Sequence, residues 1–268
     1  MNETPKPPPE ARPSASVLLL RDAEPSLEVF MVQRHHQIDF ATGAMVFPGG
    51  KVEPSDRDPR IRTRARHSGR LDDDAIAYLA AAVRETFEES GVLLACERNS
   101  HEPVGAARIP DMASRYRRPL ENGEVGLFDL LEAEDLELLC DHFVPFARWI
   151  TPVFMPKRFE TCFFVVEAPA HQTALHDGNE SVDSVWLTVN DAVEQQQRGQ
   201  RKIIFPTLAQ LQKLGRSRTV AEALKRSRSD PVVTVMPRLE KDSEGRSWLC
   251  LPDNAGYDTV RSAIDNIA

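Results

Sequence analysis

The chain is poor in cysteine. Four occur in 268 residues, Cys96, Cys140, Cys162 and Cys250, and no two of them stand in a C-x-x-C pair. That scatter lacks the usual zinc spacing and makes a disulfide scaffold an unsuitable reading at this length, so reduced, mostly buried thiols in a cytoplasmic protein are expected. No apolar run approaches the ~20 residues that a membrane-spanning helix needs. Basic charge is in deficit: 33 Lys and Arg face 41 Asp and Glu, for a net charge of -8 and a pI near 5.5. An acidic balance lacks the field for general binding of nucleic acid or anionic membranes. It leaves open a small anionic substrate held by a local basic patch or by metal ions. The opening stretch MNETPKPPPEARPSAS is proline-rich and has no apolar h-region, so it reads as a flexible lead-in over residues 1–13 and not as a signal peptide. The closing SAIDNIA is no recognised targeting tripeptide.

Hydrophobic residues make up 41% of the chain, enough for a buried core. SASVLLLRD and LEVFMVQR are β-rich runs separated by AEPS and read as a hairpin. A helix is expected from about Asp73 to Ser90. Asp72, Asp73 and Asp74 supply its N-cap and favourable charge at the positive end of the dipole, and Gly91 stands where a left-handed C-terminal residue belongs. GEVGLFDLLEAEDLELLCDHF reads as one or two helices, and RWITPVF with ETCFFVVEAP as paired strands. SVDSVWLTV follows as a strand, NDAVEQQQRG as a helix capped by Asn190, and two more helices start near Thr207 and Thr219. PVVTVMP and SWLCLP are late strands. Helices and strands mix without strict βαβ alternation, which indicates an α+β class or a mixed-sheet sandwich.

The stretch AAVRETFEESG carries the chemistry. On a helical wheel, Ile76, Leu79, Ala80, Val83 and Phe87 form one apolar stripe. With Ile76 at zero, Glu85 falls at roughly 180°, Glu88 at about 120° and Glu89 at about 220°. All three point off the stripe and are neighbours at i, i+3 and i+4. Arg84, four residues before Glu88, is placed to pair with it. Such a cluster serves either as a solvated acidic face or as hard oxygen ligands for Mg²⁺ or Mn²⁺. Spacing alone does not decide between the two.

The surrounding motif does. Phe47-Pro48-Gly49-Gly50 precedes the helix and R-E-T-F-E-E-S-G closes it. Together they resemble the Nudix box, Gly, five residues, Glu, seven residues, then R-E-x-x-E-E-x-G. Arg84, Glu85, Glu88, Glu89 and Gly91 match the second half, and Gly50 opens the first. Asp56 stands at the first Glu position, and 27 residues (57–83) occupy the place of seven. That interruption, with RWITPVFMPKRFETCFF and IIFPTLAQLQKL, is similar to the split-box Nudix subgroup that includes the peroxisomal coenzyme A diphosphatases.

The resemblance implies an α/β/α sandwich around a mixed sheet, with an insertion at 57–71 inside the box. It implies a Nudix domain over 14–204 and a C-terminal extension with extra helices over 205–268, packed on that domain. It implies hydrolysis of a nucleoside diphosphate derivative, coenzyme A or an acyl-coenzyme A first, with an ADP-ribose or NADH pyrophosphatase and a catalytically inactive nucleotide sensor as alternatives. Glu85, Glu88, Glu89 and the Gly50 carbonyl are the expected ligands of Mg²⁺ or Mn²⁺. Glu85, Glu89 and Arg84 are the expected catalytic group, with Arg84 fixing the glutamates more than touching substrate. Asp56, shorter than the motif's Glu, is the position whose role is in doubt. Arg57, Arg60, Arg62, Arg64, Arg66 and Arg70 crowd the insertion, either as a clamp for an extra phosphate or as a solvated loop. Arg34, Arg62, Arg64 and Glu180 are the candidate substrate contacts, Glu180 also as an outer metal ligand or base. His35 and His36 read as ordinary loop residues. A small-molecule nucleotide is the expected partner and a homodimer the family-level assembly.

Overall fold

In the computed structural model, residues 8–34, 43–100, 102–176 and 181–263 are described. The strands, in chain order, are β1 (Arg12–Arg21), β2 (Glu28–Arg34), β3 (Met45–Val46), β4 (Gly49–Lys51), β5 (Ala65–Arg66), β6 (Cys96–Glu97) and β7 (Leu136–Leu139). They continue with β8 (Val144–Ile150), β9 (Phe159–Glu167), β10 (Ser181–Thr188), β11 (Thr234–Val235), β12 (Arg238–Lys241), β13 (Ser247–Cys250) and β14 (Arg261–Ala263). The helices are α1 (Asp73–Ser90), α2 (Ile109–Glu121), α3 (Leu127–Ala133), α4 (Val189–Gln197), α5 (Phe205–Leu214) and α6 (Val220–Ser229).

The unbroken apolar run of β1 follows from burial on both faces, since successive side chains point to opposite sides of a sheet. Ala15, Val17 and Leu19 pack with α1, α2 and α3 on one side. Leu18 and Leu20 pack with α4, α5 and α6 on the other. The central sheet runs β10-β2-β1-β9-β8-β11. β1 and β9 are parallel, as are β8 and β11, whereas β1/β2, β2/β10 and β8/β9 are antiparallel. This is a mixed sheet between two helical layers, the expected α+β sandwich.

The predicted stripe of α1 is the buried one: Ile76, Leu79, Ala80, Val83 and Phe87 all lie in the core shared with α2 and α3. Asp72 Oδ1 accepts from Ala75 N at 2.7 Å, and Gly91 closes the helix in the left-handed region at φ 72°. Helices α5 and α6, with Leu249, Leu251, Ala255 and Tyr257, contribute to the opposite layer. Trp149 Nε1 donates to the Tyr257 hydroxyl at 2.8 Å, which donates to Gln210 Oε1 at 3.0 Å, tying β8 to the chain's end through buried groups.

Local readings are corrected at three places. GEVGLFDLLEAEDLELLCDHF, read as one or two helices, holds one, α3, followed by strand β7, which is held between β5 and β6 by pairings that local composition does not show. Thr188, not Asn190, caps α4: its Oγ1 accepts from Asp191 N at 3.1 Å. Helix α2, with Pro110 and Pro119, was not anticipated; it docks through Ile109, Met112 and Leu120. No helix among the described residues is long and apolar enough to cross a membrane.

Candidate active site

A change of partner along β1 builds the site. The C-terminal half of β1 pairs with β2, Leu20 opposite Val29. The N-terminal half pairs with β4 instead, with Ala15 opposite Gly50 and Ser16 opposite Gly49. Ser16 Oγ donates to the Pro48 carbonyl at 3.0 Å and fixes the entry to this short strand. β4 therefore lies along the polar flank of α1, on the side that the helical wheel assigns to the glutamates.

Both glycines are needed there. Gly49 has φ 154°, and a β-carbon on it would come within 2.3 Å of the Ala15 carbonyl. A β-carbon on Gly50 would lie 2.3 Å from Glu85 Oε1, so the missing side chain is the space the Glu85 carboxylate occupies. Gly49 N donates to Glu89 Oε2 at 3.0 Å. Glu85 and Glu89 are buried under this strand. They point off the apolar stripe, as the wheel requires, yet away from open solvent.

Arg84 is the hub of the cluster. Its Nε and Nη2 donate to the two Asp56 oxygens, each at 2.9 Å. Nη1 reaches Glu85 Oε1 at 3.0 Å and Glu88 Oε2 at 3.0 Å, and Nη2 also donates to the Lys51 carbonyl at 2.9 Å. Burial works against the charged guanidinium, but the Asp56 bond with the charges of Glu85 and Glu88 outweighs it and holds Arg84 protonated. Asp56 is itself oriented by Glu53 N, which donates to Oδ2 at 2.8 Å. The residue whose role the motif left in doubt anchors the arginine. Glu88 responds differently: burial pushes its carboxyl up to about 8, and Glu85 adds to this while Arg84 opposes it.

A second arginine holds the helix end. Arg117, on α2, donates from Nε and Nη2 to the Glu88 carbonyl at 3.0 and 2.6 Å. A cation at a C-terminal carbonyl suits the helix dipole. Beside it, Leu175 N donates to the Ser90 carbonyl at 2.8 Å, and Gln172 Oε1 accepts from Leu93 N at 2.9 Å. The chain leading toward β10 is thus fastened to the end of α1. No sequence motif pointed to Arg117 or Gln172; each acts by bonding to backbone far away in the chain.

The structure does not bring Arg62 or Arg64 to the glutamates. Arg62 pairs with Asp73 at 2.6 Å, at the opposite end of α1, about 22 Å from Glu88 along the helix. Arg64 pairs with Asp135 at 2.8 Å. Arg57 pairs with Asp74, Arg60 with Asp58, and Arg66 bonds the Ser100 carbonyl. The chain folds into 3-10 turns over Pro54–Arg57 and Pro59–Arg64, and five of the insertion's six arginines, Arg57, Arg60, Arg62, Arg64 and Arg66, are bonded within the protein. Arg34 sits half-buried at the end of β2, paired across to Ser181. Glu180, His35 and His36 lie outside the described residues.

Glu85, Glu88, Glu89 and the Gly50 carbonyl are hard oxygen donors, and their chemistry fits a small divalent cation. Among the described residues, no three such side chains are gathered round a common point. Glu85 and Glu88 turn toward Arg84, and Glu89 toward Gly49 N.

The family model described as the NUDT19 Nudix domain matches residues 57–214, more than half of the chain. The acyl-coenzyme A diphosphatase NUDT19 of Xenopus laevis is 25% identical over 209 residues, covering 62% of this chain and 54% of that protein. Its human counterpart is 27% identical over 211 residues, with the same 62% and 54%. Putative nudix hydrolase 7 of Caenorhabditis elegans is 27% identical over 203 residues, covering 76% of this chain and 60% of that protein. The chain thus spans roughly half to three fifths of the length of these curated relatives. A crystal structure of a NUDIX hydrolase from Alicyclobacillus acidocaldarius superposes with a TM-score of 0.67 at 28% identity, covering 84% of this chain and 98% of that one. With the box residues assembled on α1 and β4 and the family model spanning both layers of helices, the chain belongs to the NUDT19 Nudix-domain family of the Nudix hydrolases.

Proposed function

We propose that the protein is a metal-dependent Nudix diphosphatase that cleaves the diphosphate linkage of coenzyme A or an acyl-coenzyme A. The observation that carries this reading is that Glu85, Glu88 and Glu89 share one end of α1 under β4, with Gly50 pressed onto Glu85 and Arg84 joining Glu85 to Glu88. The names of the relatives from Xenopus and human support the choice of substrate.

Glu85, Glu88 and Glu89, with the Gly50 carbonyl, are the residues that would hold Mg²⁺ or Mn²⁺. A bound divalent ion supplies charge neutralisation on the phosphate oxygens and an acidified water. Arg84, locked by Asp56, holds Glu85 and Glu88 side by side against their mutual repulsion. Glu85 orients the attacking water and takes its proton on the carboxylate. The water oxygen bonds to phosphorus, and the bridging P–O bond breaks with its electron pair leaving on the departing phosphate. With coenzyme A the products are 3′,5′-ADP and phosphopantetheine.

A hydrolysis panel tests the substrate: coenzyme A, acetyl-coenzyme A, dephospho-coenzyme A, ADP-ribose, NADH and a dinucleoside polyphosphate, each with Mg²⁺ and with Mn²⁺. Preference for the coenzyme A species is the expected result. Preference for ADP-ribose or NADH overturns the substrate, and absence of turnover with tight nucleotide binding favours the sensor.

A further inference from the structure

Two of the three carboxylates, Glu88 and Glu89, stand in the last turn of α1, where a helix has run out of its own donors. Gly91 N makes the closing bond, to the Phe87 carbonyl at 2.9 Å. The carbonyls beyond it are met from other elements. Ser90 accepts from Leu175 N at 2.8 Å. Glu88 accepts from Arg117, from Nε at 3.0 Å and from Nη2 at 2.6 Å, so one guanidinium grips this carbonyl with two donors. A β-carbon on Gly91 would stand 3.4 Å from Arg117 Nη1, which places the guanidinium against the glycine that ends the helix.

The helix that presents Arg117 is fastened in two ways. α2 buries Ile109, Met112 and Leu120 in the core that it shares with α1. At its start, Arg108 donates to Glu97 Oε2 at 2.6 Å and to Glu134 Oε2 at 2.9 Å. Arg115 Nη1 and the Tyr116 hydroxyl reach the other oxygen of Glu134 at 2.7 and 2.9 Å. An apolar face and an ionic edge thus fix α2, and Arg117 stands half-buried between it and α1.

The consequence falls on the carboxylates. Glu85, one turn back, is set by β4 and Arg84: Gly50 presses on it and Arg84 Nη1 bonds it at 3.0 Å. Glu88 and Glu89 have their backbone in the turn that frays first in a helix. Holding the Glu88 carbonyl fixes the α-carbons of both relative to Glu85. A group that touches a ligand residue, and not the ion, still changes metal affinity by about ten- to a hundredfold.

We propose that Arg117 is a positioning residue for the α1 carboxylates: through the Glu88 carbonyl it sets the spacing of Glu88 and Glu89 from Glu85 that a divalent cation requires. The inference rests on the proposed divalent-cation site and extends it to α2, a helix outside the box.

The test is a Mn²⁺ titration without substrate, followed by electron paramagnetic resonance, on the wild type, Arg117→Met, Arg117→Lys and Arg115→Met. Arg117→Met should raise the Mn²⁺ dissociation constant about tenfold or more. Arg117→Lys should fall between it and the wild type, because an ammonium restores the charge but not the two-donor grip. Arg115→Met removes an exposed pair from the same helix and should stay within about twofold of the wild type. At saturating Mn²⁺, Arg117→Met should lower kcat for coenzyme A while KM stays within about twofold. Wild-type Mn²⁺ affinity in Arg117→Met, or an equal loss in Arg115→Met, overturns the role, as does a raised KM with unchanged Mn²⁺ affinity, which would make Arg117 a substrate contact. Should Arg117→Met fail to fold, Arg117→Lys decides, and wild-type affinity there overturns the role. Absence of Mn²⁺ binding in the wild type would remove the proposed cation site and this role with it, whereas wild-type binding that ignores Arg117 removes the role alone.

Discussion

Asp56 and Arg84 form a two-pronged ion pair across 28 positions of sequence, with both side chains buried. The insertion lies between them, so the pair staples the two halves of the split box. Arg84 in turn carries Glu85 and Glu88, which makes Asp56 a positioning residue for the whole cluster.

Removing one partner of such a pair leaves a buried charge without its main counterion, at a cost of about 3 kcal/mol. Asp56→Ala should lower the denaturation midpoint accordingly and also lower kcat. Arg84→Lys should lose activity as well, because an ammonium cannot span Asp56, Glu85 and Glu88 together. Chemical denaturation beside steady-state kinetics checks both; an Asp56→Ala protein with unchanged stability and turnover would contradict the assignment.

The two glycines should separate stability from activity. Gly50→Ala meets the far end of a side chain, Glu85 Oε1, which can swing aside. It should cost about 1 kcal/mol or less in stability yet lower turnover at least about a hundredfold, since the displaced group is a proposed ligand. Gly49→Ala meets backbone, the Ala15 carbonyl, at a positive φ. It should destabilise by about 3 kcal/mol or more. Thermal melts and kcat measured on both variants give the comparison.

The Glu88 carboxyl, raised to about 8 by burial, predicts an unusual pH dependence for the metal-free protein. The folded state holds a proton there that the unfolded chain releases near the ordinary value of 4.5. This group's contribution is therefore most favourable below about 4.5, is lost as pH rises toward 8, and is flat above. Glu88→Gln should abolish that part of the slope. Divalent cation must displace the proton, so its stabilising effect should be larger at pH 8 than at pH 6, as melts with and without Mg²⁺ would show.

Arg62 and Arg64 should matter little to catalysis. Their partners, Asp73 and Asp135, are exposed surface carboxylates, and pairs of this kind contribute about 0.5 kcal/mol. Arg62→Met and Arg64→Met should change kcat/KM for coenzyme A and for dephospho-coenzyme A by less than about twofold. A selective loss on coenzyme A would restore the insertion as a phosphate clamp.

Much of this architecture was legible in the sequence where a single element carries its own signal. The stripe from Ile76 to Phe87, the cap at Asp72 and the left-handed Gly91 define α1 from local chemistry alone, and the wheel placed the three glutamates off the buried face. What covers them was not legible. Gly49 and Gly50 reach Glu89 and Glu85 only because β1 exchanges β2 for β4 along its length, a long-range event without a local pattern. Leu136–Leu139 carries helix-favouring residues and becomes a strand through pairing with β5 and β6. The insertion read as a phosphate clamp or a solvated loop because Asp74, Asp73 and Asp135, the partners of Arg57, Arg62 and Arg64, lie outside it in the chain.

The central claim is that the α1 carboxylates form a divalent-cation site that drives diphosphate cleavage. The most direct test follows Mn²⁺ binding by electron paramagnetic resonance in the wild type and in Glu89→Gln, with coenzyme A turnover measured on the same samples. The account predicts saturable Mn²⁺ binding that tracks turnover in the wild type, and loss of both in the variant despite an intact fold. Turnover that persists in Glu89→Gln, or that proceeds in the wild type after thorough chelation, would contradict it.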